Sequence, residues 1–507
     1  MTHTFFHRSW ALLPLLLTGA CTTLPQNSGR EDIEALIQDR GLYVEEENAA
    51  NISLATYLNK PLTAENAIRV ALVNNPQLRT EYARLGFAMA DIYAAGRIRN
   101  PVFSASALDS NRDGEQSLLT FSLITSFSDF ITRPARQRLA KQQFAEMKQS
   151  IAAKVISVAM ETESAFYEFV AAKQSLALQQ HIAKVGKLST DLAQRYHAAG
   201  NLTARELAIG AAYYSQRRLD ALDAEAFAYG KRAMLAAQMG VPINDDWNTP
   251  AQLPLPLTQE DTLEQLLDLA LHSRLDLAAA KVRVEFFADR LGVEDWTRWL
   301  GELNIGIEHE RETDGARLTG PTLEWELPIL NQGQDTLLRT KAELQISAIE
   351  VERLQLTIKN NVHLAYAALL NAKARSIEHR DNLIPARTAA VARSQEAENF
   401  MLIGIFELLA TKQQEYEGYQ SYLESVRDYW LTRSRLAQAV GNSLPSPAAD
   451  HPVIDINAVI APADSVDHSI HGMTEDSKMK QMDHSEHSME APMKKQMDHS
   501  EHSMEAP

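Results

Sequence analysis

The chain has 507 residues, a formal net charge of −17 and one cysteine, Cys21, and this length suffices for two or three domains of ordinary size. The acidic balance argues against nucleic acid as a partner, because the chain offers no surplus of cations to neutralise phosphates. A single cysteine excludes intramolecular disulfides, thiolate zinc clusters and iron–sulfur sites.

The first twenty residues predict a secretory signal peptide, followed by an extended N-terminal segment at 21–61. A weakly basic start at His7 and Arg8 precedes the apolar run Trp10–Leu17, which is too short for a spanning helix. The sequence "LLTGAC" that follows resembles the bacterial lipoprotein box, which implies cleavage before Cys21, lipid on its sulfur and sorting to the outer membrane. The alternative is ordinary signal cleavage with a buried Cys21.

Most of the remaining chain is duplicated. Several landmarks recur at an offset of 201 residues: Asp113-Gly114 with Asp314-Gly315, Glu206 with Glu407, and Gly240 with Gly441. A fixed offset of this kind predicts two structural repeats, at 62–255 and 256–445. Each repeat is expected to run as helix, β-hairpin and long helical hairpin.

Alternating apolar and polar residues predict one β-hairpin in each repeat, at about 101–128 and 302–328. Within each strand one face is apolar and the other polar, and an Asp-Gly lies between the strands of each pair. A helix is expected in front of each hairpin, over 65–96 and 263–299. The predicted strands are Val102–Leu108, Ser117–Phe127, Leu303–His309 and Leu318–Leu327.

Strands are the elements with which the mature chain could cross a membrane, since no stretch of eighteen apolar residues follows Cys21. Four strands are too few to close a barrel, and an open sheet edge cannot face lipid. The chain must therefore oligomerise to build a transmembrane wall. Trp296, Trp299 and Trp325 are candidate membrane-interface residues, with a core role as the alternative for each.

Very long helices make up most of each repeat. No proline interrupts residues 135–197, and apolar or small residues recur there with coiled-coil spacing. Sixty such residues span on the order of 90 Å, too long for a compact globule. Helical hairpins are expected at about 135–240 and 334–441. The apolar stripe comprises Ile151, Val155, Val158, Thr162, Ala165, Phe169, Ala172 and Leu176.

The duplicated layout and four segments resemble the TolC-like outer-membrane efflux factor family over residues 62–441. The segments are "ELPILNQGQ" (Glu326–Gln334), "RYHAAGNLTARELA" (Arg195–Ala208), "LIGIFELLATKQQEY" (Leu402–Tyr416) and "RDYWLTRSRLAQAVG" (Arg427–Gly441). The first half departs from the family pattern after its second strand, where Pro134 lies further along than the usual proline. The implied fold class is mainly α with a small β part: a homotrimer whose twelve strands form one outer-membrane β-barrel on a periplasmic α-helical tunnel.

The resemblance also implies partners and a position for a gate. It implies a passive duct that docks, through its hairpin tips, to a periplasmic adaptor (membrane fusion) protein and an inner-membrane pump. In the family these tips also carry an acidic constriction. The matching positions are Gly200 and Glu206 in the first repeat, and Gly404 and Glu407 in the second. For Glu407 the alternative is a solvated helix charge.

The segment 446–507 is expected to be a disordered, metal-binding tail. Residues 467–507 hold six of the fifteen histidines and seven of the fourteen methionines, in three copies of Asp-His-Ser-X-His-X-Met. Thioethers suit Cu(I) and Ag(I), and imidazoles also accept Cu(II). The metal is expected as cargo, with no cofactor required; the alternative is repeat duplication without selected binding. The candidate ligands are His468, His471, Met473, Met482, His484, His487, Met489, Met497, His499, His502 and Met504.

Together these patterns favour a lipid-anchored outer-membrane channel that exports heavy-metal ions, specifically copper or silver, with its tunnel and tail in the periplasm. Two alternatives stay open: a general drug or protein exporter with an incidental tail, and a non-pore periplasmic coiled-coil metal-binding protein. An enzyme is not expected, because no nucleophile–base constellation stands out. Glu308 and Glu310 alternate with His309 on a predicted strand, which sends the carboxylates and the imidazole to opposite faces.

Overall fold

A computed structural model describes residues 29–42, 61–109, 111–112, 114–244 and 247–444. These residues are mainly helical with one small sheet, which confirms the mainly α class. Cys21 and all the predicted tail ligands lie outside the described residues, so lipidation and metal binding stay predictions. Within the described ranges, none of the helices is both long and apolar enough to cross a membrane.

The helices fall into short segments in front of the strands and long segments after them. A π-helical turn, His379–Leu383, joins α8 to α9. In chain order the helices are α1 (Arg30–Gln38), α2 (Ala64–Asn74), α3 (Pro76–Gly96), α4 (Phe127–Ala198), α5 (Ala204–Met239), α6 (Leu263–Ser273), α7 (Leu275–Thr297), α8 (Gln334–Glu378), α9 (Ile384–Asn399) and α10 (Ile405–Val440).

Each helix predicted in front of a hairpin is broken in two. Asn75 separates α2 from α3, and its side-chain oxygen accepts from the N–H groups of Gln77 (2.8 Å) and Leu78 (3.3 Å). Pro76 opens α3, where a helix has no intrahelical partner for an N–H. The second break lies at Arg274, between α6 and α7. The prediction of one continuous helix was therefore wrong, because apolar periodicity runs on across both breaks.

The long helix α4 begins at Phe127 instead of about residue 135, and it continues through Pro134. The later start was expected because proline usually interrupts a helix. Contacts from outside hold the first turns in place. The side chain of Asp129 accepts from Arg99 Nε at 3.0 Å, and Arg136 Nη2 donates to the Asp129 carbonyl at 3.4 Å.

The four strands form one antiparallel sheet in the order β1-β2-β3-β4. The middle pair, β2 and β3, comes from the two different repeats, with Leu123 opposite Ile307. The two predicted hairpins are therefore joined into a single sheet. The strands are β1 (Val102–Leu108), β2 (Leu118–Ser126), β3 (Leu303–Arg311) and β4 (Arg317–Trp325).

An apolar core runs along α4, where the shorter helices pack on it. Ile33 and Ile37 of α1 and Leu85 of α3 join Val155 and Ala159 of α4 in one buried cluster. The predicted stripe is confirmed at six of its eight positions: Ile151, Val155, Val158, Thr162, Phe169 and Ala172 are buried, and Ala165 and Leu176 are half-buried.

The connection between the repeats, residues 247–262, is tied to the last helix. Trp430 Nε1 donates to the Pro254 carbonyl at 2.7 Å. The Tyr429 hydroxyl accepts from the Leu257 N–H at 3.0 Å and donates to the Glu260 carboxylate. These bonds fix the path of the connecting segment along α10.

Candidate functional site

The two ends of the long helices carry the features to which the sequence points. At one end lies the sheet: β1 follows α3, β2 leads into α4, and β3 and β4 lie between α7 and α8. At the other end lie the two hairpin turns. Helix α4 has 72 residues, which corresponds to a length of about 108 Å.

One face of the sheet is apolar and exposed over most of its length, with Arg311 and Arg317 at the end next to the β3–β4 turn. Odd-numbered residues share this face in all four strands, because every register pairs odd with odd. Phe103 and Leu323 are each 67% exposed, and Phe103 stacks on Phe121 with ring centroids 6.5 Å apart. A contiguous exposed apolar surface of this kind marks a contact with lipid or with another protein. Its other exposed members are Leu123, Ile305, Ile307 and Trp325.

The even-numbered face of the sheet is polar and acidic over the middle of the strands, with Val102, Leu108 and Leu318 at the strand ends. Glu308, Glu310 and Glu324 lie on it, and serine and threonine side chains continue it across β1 and β2. The described strand residues of this face include no lysine or arginine. His309 lies on the opposite face, as the alternation predicted, with its Nδ1 at 2.7 Å from Thr319 Oγ1.

The sheet has two free edges, β1 and β4. The Glu326 N–H donates to the Glu302 carbonyl at 2.9 Å, so even-numbered residues form the hydrogen-bonded pairs between β3 and β4. Along an antiparallel strand, alternate residues hydrogen-bond to the neighbour on one side and the residues between them direct their backbone groups to the other side. Even-numbered residues of β1 and β4 bond to β2 and β3, so odd-numbered residues of both edge strands direct their N–H and C=O groups outward. These residues are Phe103, Ala105 and Ala107 on β1, and Arg317, Thr319, Pro321, Leu323 and Trp325 on β4.

A charged network holds the sheet to the start of α4. Asp129 is only 6% exposed, and its carboxylate accepts from the Arg99 backbone N–H at 3.1 Å and from Arg99 Nε at 3.0 Å. Arg99 Nη1 also lies 2.9 Å from Glu302, and Arg136 Nη1 lies 3.6 Å from Asp129. Burial raises the pKa of Asp129, but the hydrogen bonds from Arg99 and the charge of Arg136 outweigh it and lower the pKa below its ordinary value.

Three tryptophans lie where the sheet meets the helices. Trp325 Nε1 donates to the Leu300 carbonyl at 2.9 Å, and the Arg298 guanidinium lies 4.9 Å from the centre of the Trp299 ring. Trp296, Trp299 and Trp325 are all exposed. The alternative of a core role in this chain is therefore wrong for each of them.

The first hairpin turn, Ala199–Thr203, has residues that suit both its left-handed backbone and the start of the next helix. Gly200 adopts a φ of 80°, in the left-handed region that glycine favours. Thr203 and Glu206 form a capping box: the Glu206 N–H donates to Thr203 Oγ1 at 3.2 Å, and the Thr203 N–H donates to Glu206 Oε2 at 2.9 Å. Hydrogen bonds from the Thr203 side chain and backbone lower the pKa of Glu206. The Glu206 carboxylate thus caps its own helix.

The second hairpin turn, Phe400–Gly404, has a similar backbone course but lacks the glycine and the capping side chain of the first. Met401 has a φ of 58° and is the one non-glycine residue with positive φ among the described residues. A left-handed conformation costs such a residue roughly 1–2 kcal/mol. Gly404 precedes α10 without a side chain to cap it. Phe400, Met401 and Leu402 point into solvent, and Met401 is 93% exposed.

The two tips lie side by side, since the backbone at Gly210 of α5 lies against the Phe406 ring of α10. Gly200 and Gly404 lie in the turns, and Glu206 and Glu407 lie in the first turn of the helix that follows each. Glu407 is exposed, and a role in a gate stays a prediction. Among the described residues, no group of three or more His, Cys, Asp and Glu side chains is placed to hold a metal ion.

Helix α1 lies within the segment 21–61 that was predicted to be extended, so that prediction was wrong for residues 30–38, where Ile33 and Ile37, one helical turn apart, are buried in the core.

Three further features were not predicted from the sequence. Met401 could have been found, because the offset of 201 residues places it opposite Gly200. Pro321 could also have been found, since a proline inside a strand indicates an edge. The contact between Arg99 and Asp129 has no local signal, because it depends on how the sheet meets the helix.

Comparisons with known proteins agree on the fold. No protein-family model matches the chain. CyaE of Bordetella pertussis is 23% identical over 335 residues, which cover 61% of this chain and 69% of CyaE. The outer-membrane channel CmeC of Campylobacter jejuni has a TM-score of 0.64 at 15% identity, over 75% of this chain and 85% of CmeC. CusC, whose structures concern transmembrane channel formation, has a TM-score of 0.62 at 15% identity, over 75% of this chain and 92% of CusC.

At these levels of sequence identity, the similarity shows a shared fold and nothing finer. It covers three quarters of the chain and most of each solved structure. The open-state outer-membrane channel MtrE of Neisseria gonorrhoeae aligns in the same way, with a TM-score of 0.61 at 17% identity, over 75% of this chain and 89% of MtrE. The chain therefore has the fold of these outer-membrane channel proteins, as its resemblance to TolC-like efflux factors implied.

Proposed function

We propose that the protein is the outer-membrane channel of a tripartite efflux system. The observation that carries this proposal is the four-stranded sheet: one face is apolar and exposed, the other is polar, and both edges are free. An open edge cannot face lipid, because its N–H and C=O groups would lack partners there. Several copies must therefore close a barrel, and the resemblance to TolC-like proteins favours three copies and twelve strands.

In this arrangement the apolar face meets lipid and the acidic face lines the pore. Glu308, Glu310 and Glu324 from each copy would give the strand segment a negative lining without strand lysines or arginines. A lining of one sign concentrates ions of the opposite sign. The channel is thus suited to cations.

The cargo we propose is a heavy-metal cation, copper or silver. The support is the acidic pore lining together with the His/Met repeats of residues 467–507, whose thioether and imidazole groups suit these ions. We also propose that lipid on Cys21 attaches the chain to the outer membrane, with the helices and the tail in the periplasm.

The hairpin tips are the surfaces we propose for an adaptor protein and, with it, an inner-membrane pump. Phe400, Met401 and Leu402 form an exposed apolar group at the end furthest from the sheet. Exposed apolar patches mark interaction sites, and strained backbone clusters at functional sites.

Adjacent residues of β2 test the membrane orientation of the sheet. Leu123→Lys places a charge on the apolar face, where it costs roughly 2–4 kcal/mol at mid-membrane depth. Ser122→Lys places the same charge on the polar face, opposite Glu308. We expect Leu123→Lys to reduce the oligomer in outer-membrane fractions several-fold and Ser122→Lys to leave it. Equal losses, or a wild-type protein without single-channel conductance, would contradict the channel and favour the non-pore alternative.

Two measurements test the cargo. Glu308→Gln with Glu310→Gln should lower the preference for cations in a reversal-potential measurement, with conductance retained. Deleting residues 467–507 should lower copper and silver tolerance of cells and leave drug tolerance unchanged. Loss of drug tolerance with unchanged copper tolerance on removing the whole gene would favour the general exporter with an incidental tail.

A further inference from the structure

The middle of the free β4 edge lacks a hydrogen-bond donor. Five residues of β4 direct their backbone groups outward, from Arg317 to Trp325, and the central one is Pro321. Pro321 lies opposite Ile307 in a pair that is not hydrogen-bonded, so its missing N–H weakens nothing inside the chain. The missing N–H therefore weakens only the pairing between β4 and a strand from outside the chain.

The other free edge of the same sheet fits this position. The outward residues of β1 are odd-numbered, like those of β4, so antiparallel pairing of the two edges sets odd residues opposite odd residues. The odd-numbered residues of both copies then lie on one face of the joined sheet, and the even-numbered residues lie on the other. A second copy of this chain is the occupant that provides this match.

Any antiparallel pairing that uses all the outward residues of β1 includes Pro321 among their partners on β4. The outward residues of β1 are three, Phe103, Ala105 and Ala107, and any three consecutive outward positions of β4 include Pro321. Each ladder inside the sheet has four hydrogen-bonded pairs, and none of them contains a proline. The external ladder has at most three such pairs, and one of them has lost one of its two bonds.

The proposed barrel joins β1 of one copy to β4 of the next, and we propose that Pro321 makes this seam, already shorter than every ladder within the chain, weaker still. The proposal rests on the proposed oligomeric barrel. A head-to-tail contact can close into a ring or continue into an open fibre, and prolines on edge strands discourage indiscriminate pairing. In a closed ring every copy is held by two seams, so the oligomer is stable although each seam is weak. A single weak seam between two chains outside a ring dissociates.

Engineered disulfides test the seam itself. At the seam, even-numbered residues would form the closely spaced pairs that are not hydrogen-bonded, which suit disulfide geometry. Ser106→Cys is combined in one chain with Leu318→Cys, Gly320→Cys or Thr322→Cys, the residues that the three complete pairings place opposite it, and each variant with one introduced cysteine serves as the control. We expect oxidation to link copies covalently in one of the three combinations and in none of the controls.

Substitutions of Pro321 and Ala107 test the role of the proline. Pro321→Val adds an outward N–H, and Ala105→Val adds a branched apolar residue on the opposite edge without adding a donor. Pro321→Val should raise the temperature at which the oligomer dissociates in detergent by several degrees, and should increase aggregation of unassembled chains several-fold; Ala105→Val should do neither. Ala107→Pro removes an outward donor that the chain itself does not use, and should lower the dissociation temperature.

The outcomes separate this proposal from the proposed function. Conducting oligomers that no cysteine combination links would overturn the seam and leave the channel standing. A dissociation temperature that Pro321→Val does not raise, in an oligomer that the cysteines do link, would overturn the role of the proline. A wild-type chain without oligomer or conductance would contradict the proposed function itself.

Discussion

The two hairpin tips occupy equivalent places in the repeat and are built from different chemistry. At the first tip, Gly200 takes the left-handed position and Thr203 caps the helix that follows. At the second, 201 residues further on, Met401 and Gly404 occupy these positions. The comparison shows that a repeat can preserve a backbone course after its local stabilising residues have gone. The second tip gains an exposed apolar group, Phe400 to Leu402.

The largest expected effect comes from giving the first tip the residue of the second. Gly200→Met should lower the local stability of the turn by roughly 1–2 kcal/mol. The cause is backbone conformation alone, since no atom lies within contact distance of the added Cβ. Hydrogen exchange of the amides from Ala199 to Leu207 should accelerate by about 5- to 30-fold.

A glycine elsewhere in the same hairpin provides the matched control. Gly230 lies inside α5 with open space around it and an ordinary helical backbone. Gly230→Met should not accelerate exchange at the tip. Similar acceleration by both variants would show that side-chain size, and not the left-handed backbone, distinguishes the tips.

The next effect comes from removing the cap of the first tip. Thr203→Ala deletes the oxygen that accepts from the Glu206 N–H, and the loss of such a cap costs about 1 kcal/mol. Thr203→Ser should retain the cap. The measurement is exchange at Glu206 and Leu207, and equal exchange in both variants would contradict the capping role.

Acid should weaken the first tip, because the Glu206 carboxylate is part of its capping box. The pKa of Glu206 is lowered by its hydrogen bonds with Thr203, so its contribution is present above the ordinary carboxyl pKa and is lost as pH falls through the lowered value. Exchange at residues 203–208, corrected for intrinsic rates, should therefore rise relative to residues 404–408 on acidification. Glu206→Gln should remove this pH dependence, and a dependence that persists in this variant would assign it to another group.

The smallest effect comes from giving the second tip a cap. Gly404 has φ −84° and ψ 159°, which suit an N-cap residue, and open space surrounds it. Gly404→Thr should stabilise the start of α10 by about a few tenths of a kcal/mol. Slower exchange at Glu407 and Leu408 is the expected result; unchanged or faster exchange would mean that the turn does not accept the cap.

The regular elements were predictable because their signals are local. Strand alternation around Leu123 and Ile307 depends on neighbouring residues, and so does the helical spacing from Ile151 to Ala172. The breaks at Asn75 and Arg274 were missed, since a single residue with non-helical backbone does not disturb an apolar period. The start of α4 was misplaced because Asp129 receives its partner, Arg99, from a segment 30 residues earlier.

By itself, the sequence determined the long helical hairpins, the strands, the polarity of each strand face and the duplication that repeats them. These follow from side chains within a few residues of one another. Only the tertiary structure decided that β2 and β3 pair across the repeats, that β1 is the second edge, and that Pro321 directs its missing donor outward. Strand order and bond direction depend on contacts between residues some 180 positions apart, for which a single sequence carries no local signal.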